Sequence, residues 1–195
     1  PKPVSVSGIT ARDKEYDGST TVVLDYSDVT FAELVEGDEL TVASATGAFV
    51  DKNAGDEKQV FISEIRLGGE DAGNYARGAG SQKETAASIT AKTLTEIDAA
   101  AVTVSKEYDG TVAAGAASGT VAFEGAVSHD QVGITAAAGD YADKNAGTGK
   151  TVTLQLSLTG EDAGNYKLKE TAVTIHTAAI TACAAFTDAT ATEQN

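Results

Sequence analysis

Three blocks recur in the same order along the chain: KEYDG at 14–18 and 106–110, DKNAG at 51–55 and 143–147, and GEDAGNY at 69–75 and 160–166. The first two are displaced by 92 residues and the third by 91. The stretch between the first two blocks aligns without a gap, so that Phe31 falls on Phe123, Val42 on Ile134 and Phe49 on Tyr141. A sequence that repeats itself in this way folds as copies of one unit. ITAK at 89–92 matches ITAC at 180–183, which places the copies at 1–91 and 92–182. The remaining 183–195 reads as the truncated start of a further repeat or as a disordered tail.

Within each copy, short alternating or β-branched runs are separated by Gly, Asp and Asn clusters, the pattern of strands and turns. Val152, Leu154, Leu156 and Leu158 alternate with Thr153, Gln155, Ser157 and Thr159, as in a half-buried strand with one wet face. The same element in the first copy reads VFISEIRL, where Ile65 and Leu67 are one residue out of phase with Val60 and Ile62. A β-bulge near Ser63 and Glu64 restores the phase. Further strands are expected at 4–9, 21–26, 29–34, 40–43 and 86–89, a junction at 93–99, and a single turn at 99–101. No helical stripe with caps stands out. The fold class expected is all-β, as two tandem immunoglobulin-like β-sandwich domains, with a β-grasp-like, mostly-β module as the alternative.

Hydrophobic residues make up 42% of the chain, but aromatics only 6%, so each core is thin and built from small side chains. Residues 1–95 carry 16 acidic and 9 basic side chains and 96–195 carry 13 and 5, giving −7 and −8 of the total −15. Both copies repel phosphate backbones and anionic headgroups, which sets nucleic-acid binding aside. The lone Cys183 cannot close a disulfide within the chain, and no apolar run is long enough to insert into a membrane. An opening Pro1 and the lack of Met are expected of a piece cut from something longer.

The repeated blocks are turn-formers. In GEDAGNY the D-x-G-x-Y spacing is that of a tyrosine corner, in which a Tyr at a strand start bonds back to nearby backbone. Tyr75 and Tyr166 pin the corner, Gly73 and Gly164 supply a conformation that a Cβ disfavours, and Asp71 and Asp162 cap the turn's amides. In KEYDG, Asp17-Gly18 and Asp109-Gly110 make the turn, while Tyr16 and Tyr108 lay a ring on the core edge with a wet hydroxyl. In DKNAG, Asn53 and Asn145 take left-handed geometry and Gly55 and Gly147 close the turn.

Each block also has a chemical reading. Calcium could sit on the acidic turn of GEDAGNY, Glu15 and Asp17 could be paired glycosidase acids, and Lys52 or Asn53 could enter an isopeptide crosslink. Turn formation is the simpler account of all three. Neither His129 nor His176 has a counterpart in the first copy, and no nucleophile with its base occurs in both, so no catalytic residue and no cofactor is expected.

The order KEYDG, DKNAG, GEDAGNY and ITAKTL resembles the YDG repeat domains, mostly-β, glycine-rich modules strung in tandem along large bacterial surface and secreted proteins. That resemblance implies an extracellular, cell-surface setting and a role as structural spacer or adhesive repeat. The partners it implies are neighbouring repeats of the same chain and a host or cell-surface glycan or protein.

Overall fold

The computed structural model describes residues 1–183. They pack as two compact units: Pro1–Thr93 with Val127–Asp130 and Gly164–Lys167, and Leu94–Ala126 with Gln131–Ala163 and the residues from Leu168 onward. The expected truncated repeat or tail at 183–195 lies, beyond its first residue, outside the described residues. Among the described residues the regular structure is all β apart from two three-residue 3-10 turns, Ala72–Asn74 and Ala163–Asn165. The β-grasp alternative therefore lacks the helix that forms its second layer.

The first unit holds β1 (Lys2–Ser7), β2 (Thr10–Ala11), β3 (Lys14–Glu15), β4 (Leu24–Asp25), β5 (Thr30–Ala32), β6 (Thr41–Phe49), β7 (Gly55–Gly68), β8 (Tyr75–Arg77) and β9 (Glu84–Thr90). These form a four-stranded sheet in the order β3-β9-β7-β6, a three-stranded sheet β5-β1-β8 and the pair β2-β4. Its core gathers Val6, Ile9, Val42, Ile62 and Ile65, with Leu24, Tyr26, Val29 and Phe31 packed against them.

The expected bulge is present. Pairing of β6 with β7 passes from Thr46 opposite Ser63 to Ser44 opposite Arg66, and Glu64 takes a φ of 50°. The inserted residue lets both Ile62 and Ile65 face inward, each 6% exposed.

The stretch 21–26 pairs only in parts, Thr21 through an isolated antiparallel bridge to Ala48 and Leu24–Asp25 as β4, while Val22 and Leu24 also lie over Gly47. A Cβ on Gly47 would stand 2.7 Å from Val22 Cγ1 and 2.8 Å from Leu24 Cδ2.

The chain continues through β10 (Lys92–Asp98), β11 (Thr103–Glu107), β12 (Ala117–Ser118), β13 (Ala122–Glu124), β14 (Gly133–Ala138), β15 (Gly147–Thr159), β16 (Tyr166–Leu168) and β17 (Ala172–Thr181). The large sheet of the second unit runs β12-β11-β17-β15-β14. The stretch expected as a junction at 93–99 is instead largely β10, paired antiparallel with β13 and carrying the fully buried Leu94. Leu94 and Ile97 are three apart, which hides the strand period. The register shift between Thr95 and Asp98 and the φ of 50° at Glu96 absorb the extra residue. The turn after Asp98 forms as expected, with Val102 N donating to Ala99 O at 2.9 Å.

In the second unit Val152, Leu154 and Leu156 of β15 pack with Ile175, Ala178 and Ile180 of β17 and with Val104 and Tyr141. Burying a side chain such as Leu154, which has no exposed surface, is worth about 2 kcal/mol. Phe49 and Tyr141, aligned by the repeat, are both 3% exposed, and the hydroxyl of Tyr141 donates to Ala179 O at 2.9 Å. The added oxygen is thus satisfied inside the core.

Candidate functional site

KEYDG closes on itself through its lysine. Lys14 Nζ donates to Asp17 Oδ1 at 2.7 Å and to Ser19 O at 2.8 Å, while Asp17 Oδ1 accepts from Ser19 N at 2.8 Å. In the second copy Lys106 Nζ meets Asp109 Oδ1 at 2.7 Å and Thr111 O at 2.9 Å, and Thr111 N meets Asp109 Oδ1 at 2.8 Å. Gly18 and Gly110 carry φ of 79° and 78°, the geometry an Asp-Gly turn needs. Each lysine also lies over a core ring, Lys14 at 5.8 Å from Phe49 and Lys106 at 5.9 Å from Tyr141. The lysines are the residues that a turn reading passes over, although both copies keep a Lys three positions before the Asp.

Burial works against ionisation of Asp17, but Lys14 and the amide and hydroxyl of Ser19 outweigh it and hold its pKa at about 2. Lys106 and then Thr111 push Asp109 down in the same way. Tyr108 is 40% exposed, as expected of a ring with a wet hydroxyl. Tyr16 departs from that expectation: it is 1% exposed, and its hydroxyl donates to Asp130 Oδ2 at 2.7 Å within the first unit.

DKNAG is an Asx turn. Asp51 Oδ1 accepts from Asn53 N at 2.8 Å and from Lys58 Nζ at 2.7 Å. Asp143 Oδ1 accepts from Asn145 N at 2.8 Å and Lys150 Nζ at 2.7 Å. The lysines come first in pulling both carboxyls below the ordinary carboxylate range, followed by the asparagine amides. Asn53 and Asn145 do not take left-handed geometry; each instead gives its amide to the preceding aspartate. Gly55 begins β7 and Gly147 begins β15, so these glycines open strands rather than close turns. Lys52 Nζ forms an ion pair with Asp130 Oδ1 at 3.0 Å, within the first unit.

GEDAGNY ends in a tyrosine whose hydroxyl clamps an upstream loop. Tyr75 Oη accepts from Val35 N at 3.1 Å and donates to Asp38 Oδ2 at 2.5 Å. Tyr166 Oη accepts from Val127 N at 2.9 Å and donates to Asp130 Oδ2 at 2.5 Å. Asp71 makes no side-chain cap on its own turn, and Asp71 and Asp162 both act on distant backbone. They reach the same loops, accepting from Glu39 N and Gln131 N at 2.8 Å.

The strained glycine is also a different one from that expected. Gly73 and Gly164 have ordinary backbone, with nothing within 4 Å of an added Cβ. Gly69 and Gly160 have φ of 99° and 104°, and a Cβ there would stand 2.4 Å from Glu39 O and 2.2 Å from Gln131 O. Asp38 and Asp130 are functional to this corner and were not singled out from sequence. The available signal was an acid kept 92 positions apart in both copies.

Chemically these are clasps. Burial raises the Asp130 carboxyl, yet Tyr166, Tyr16 and Lys52 together hold it below the ordinary range, so it stays ionised. Burial and then Asp130 push the Tyr166 phenol up to about 12, so it stays a donor. Among the described residues no group of three or more His, Cys, Asp or Glu is placed to hold a metal ion. Glu107 raises the exposed Cys183 thiol.

The family model for the YDG domain matches residues 1–85 and again 90–175. The chain belongs to the YDG domain family. No curated protein and no solved structure matches it. In both YDG domains the tripeptide does one structural job: the tyrosine amide continues strand pairing to Thr90 O at 2.9 Å or Thr181 O at 2.8 Å, the aspartate receives the lysine, and the glycine turns the chain.

Proposed function

We propose that these YDG modules are non-catalytic spacers of a bacterial cell-surface adhesin, bearing tension while they hold a binding region away from the cell. The observation that carries this reading is the direction of pairing between the last strand of each copy and a strand near its start. β3 runs parallel to β9, with Lys14 opposite Ile89 and Glu15 opposite Thr90. β11 runs parallel to β17, with Ser105 opposite Ala179, Lys106 opposite Ile180 and Glu107 opposite Thr181. The chain enters each pair at the start of one strand and leaves at the end of the other. Tension therefore slides the strands along each other and loads their hydrogen bonds together, instead of peeling them in sequence.

The net charge of −15 fits the same role, since crowded acidic stalks repel one another. An immunoglobulin-like sandwich is the module form that suits this reading. It is supported by the two larger sheets of the first unit and by a tyrosine at a strand start bonded to backbone far upstream. Pulling the chain by its ends in single-molecule force spectroscopy tests the proposal. Two separate unfolding events are expected, each releasing about 300 Å of chain. Smooth extension without a force peak would overturn it.

A further inference from the structure

The first unit is completed by Val127–Asp130 and Gly164–Lys167, segments that belong to the second copy of the repeat by sequence. They lie on the first copy's KEYDG and DKNAG blocks. Asp130, its side chain 4% exposed, accepts from Tyr16 and Lys52. The ring of Tyr166 meets that of Tyr16 edge-on at 5.5 Å between centroids. Asn165 Oδ1 accepts from Ala54 N at 2.8 Å, and Val127 Cγ1 stands 2.8 Å from where a Cβ on Gly18 would be. Charge, ring and shape thus join a receiving surface (Tyr16, Gly18, Lys52) to an inserting corner (Val127, Asp130, Tyr166).

Every one of these groups has a counterpart 91 or 92 residues away. Among the described residues the receiving groups of the second copy are open: Tyr108 is 40% exposed where Tyr16 is 1%, Lys144 and Asn145 are exposed, and an added Cβ on Gly110 meets nothing within 4 Å. On the first copy the inserting corner is built in the same way, with Tyr75 donating to Asp38. Its apolar tip Val35 is 46% exposed and Asn74 is exposed, whereas Val127 is half-buried and Asn165 is 4% exposed. The chain thus carries one filled receiving surface and one open one, and one engaged corner and one displayed.

We propose that the surface formed by Tyr108, Gly110 and Lys144 is a docking site for a second copy of this module, which inserts its Val35, Asp38 and Tyr75 corner. Asp38 brings the negative charge that Lys144 matches and accepts from the Tyr108 hydroxyl, Tyr75 turns its ring against Tyr108, and Val35 fills the space over Gly110. The contact is head-to-tail, so it repeats along a row of modules instead of closing on itself. Joined in one chain, neighbouring modules meet at an effective concentration in the millimolar range, so a weak contact is enough to order them. Docking is independent of load bearing, because a module can resist force without binding its neighbour.

The test is a concentration series of the isotope-labelled chain by NMR up to the millimolar range. The amides of 108–111 and 143–146 and those of 35–38 are expected to shift together as concentration rises. In the double variant Tyr108→Ala with Lys144→Glu, two exposed substitutions, the shifts at 35–38 are expected to vanish although nothing there is changed. Asp38→Ala is expected to abolish those at 108–111 in the same way. Shifts absent from the parent chain at millimolar concentration, or persisting in the double variant, would overturn the proposal.

Discussion

Tyr75 gives its hydroxyl hydrogen to Asp38 at 2.5 Å, and the same oxygen accepts the amide of Val35. One phenol therefore ties a strand start to two groups of a loop nearly forty residues upstream. Replacing Tyr75 by Phe keeps the ring but leaves the Val35 amide without this acceptor. The expected cost is about 1–3 kcal/mol, read as a lower midpoint in chemical denaturation with an unchanged slope. A midpoint equal to that of the parent would remove the corner from the account.

Gly69 and Gly73 separate backbone strain from sequence identity, since both recur in the second copy. Gly69→Ala forces a Cβ into the left-handed region 2.4 Å from Glu39 O. It is expected to destabilise by at least about 2 kcal/mol. Gly73→Ala meets nothing and is expected to be neutral or mildly stabilising, within about 1 kcal/mol. Thermal melting of the two variants side by side reads the difference, and equal melting would contradict the assignment.

The second unit's core rests on β15 and β17. Leu154→Ala deletes a fully buried side chain and is expected to cost about 2–5 kcal/mol. Val23→Ala, at a residue 64% exposed, is expected to stay within about 0.5 kcal/mol of the parent. Equilibrium unfolding of both variants checks the contrast.

Stability is expected to fall at both ends of the pH scale. The Asp17 pKa, held at about 2 against an ordinary 3.8, means that the fold favours the ionised form. Its stabilisation is complete above about pH 4 and is lost as pH falls through about 2. The Asp17 side chain is half exposed, so screening keeps its share below about 1 kcal/mol. Asp17→Asn should therefore flatten the acid limb only slightly. Tyr166 acts with the opposite sign: its phenol, pushed up to about 12 from an ordinary 10.0, stabilises the fold below pH 10 and ceases to do so as pH rises through 12. Tyrosinate absorbance followed against unfolding should show this phenol ionising late. Ionisation of every tyrosine near pH 10 in the folded chain would contradict it.

The strand content and the duplication were legible because period-two alternation and block spacing are local signals. The bulge at Glu64 was legible too, since Val60 and Ile62 fall out of phase with Ile65 and Leu67. β10 was not, because its own irregularity at Glu96 breaks the alternation that betrays a strand. The corner's tyrosines could be named from spacing, but their partners Asp38 and Asp130 sit in loops where an acid looks like solvent-facing decoration. The strained glycine was misplaced by four residues. What decides between Gly69 and Gly73 is how close Glu39 O approaches, a contact across 30 residues that no local pattern encodes. Burial of Tyr16 likewise depends on Asp130, 114 residues away.

The central claim is that parallel pairing of the last strand with a strand near the start makes each module resist tension, and the direction of pulling tests it most directly. With handles at the chain ends, β3 and β9 are loaded in shear. With handles at Thr41 and Gly68, the open end of the β6–β7 pair, the antiparallel bonds between these strands break successively, like a zip. The account requires a clearly higher unfolding force in the first geometry than in the second. Equal forces in the two directions, or a lower force through the ends, would contradict it.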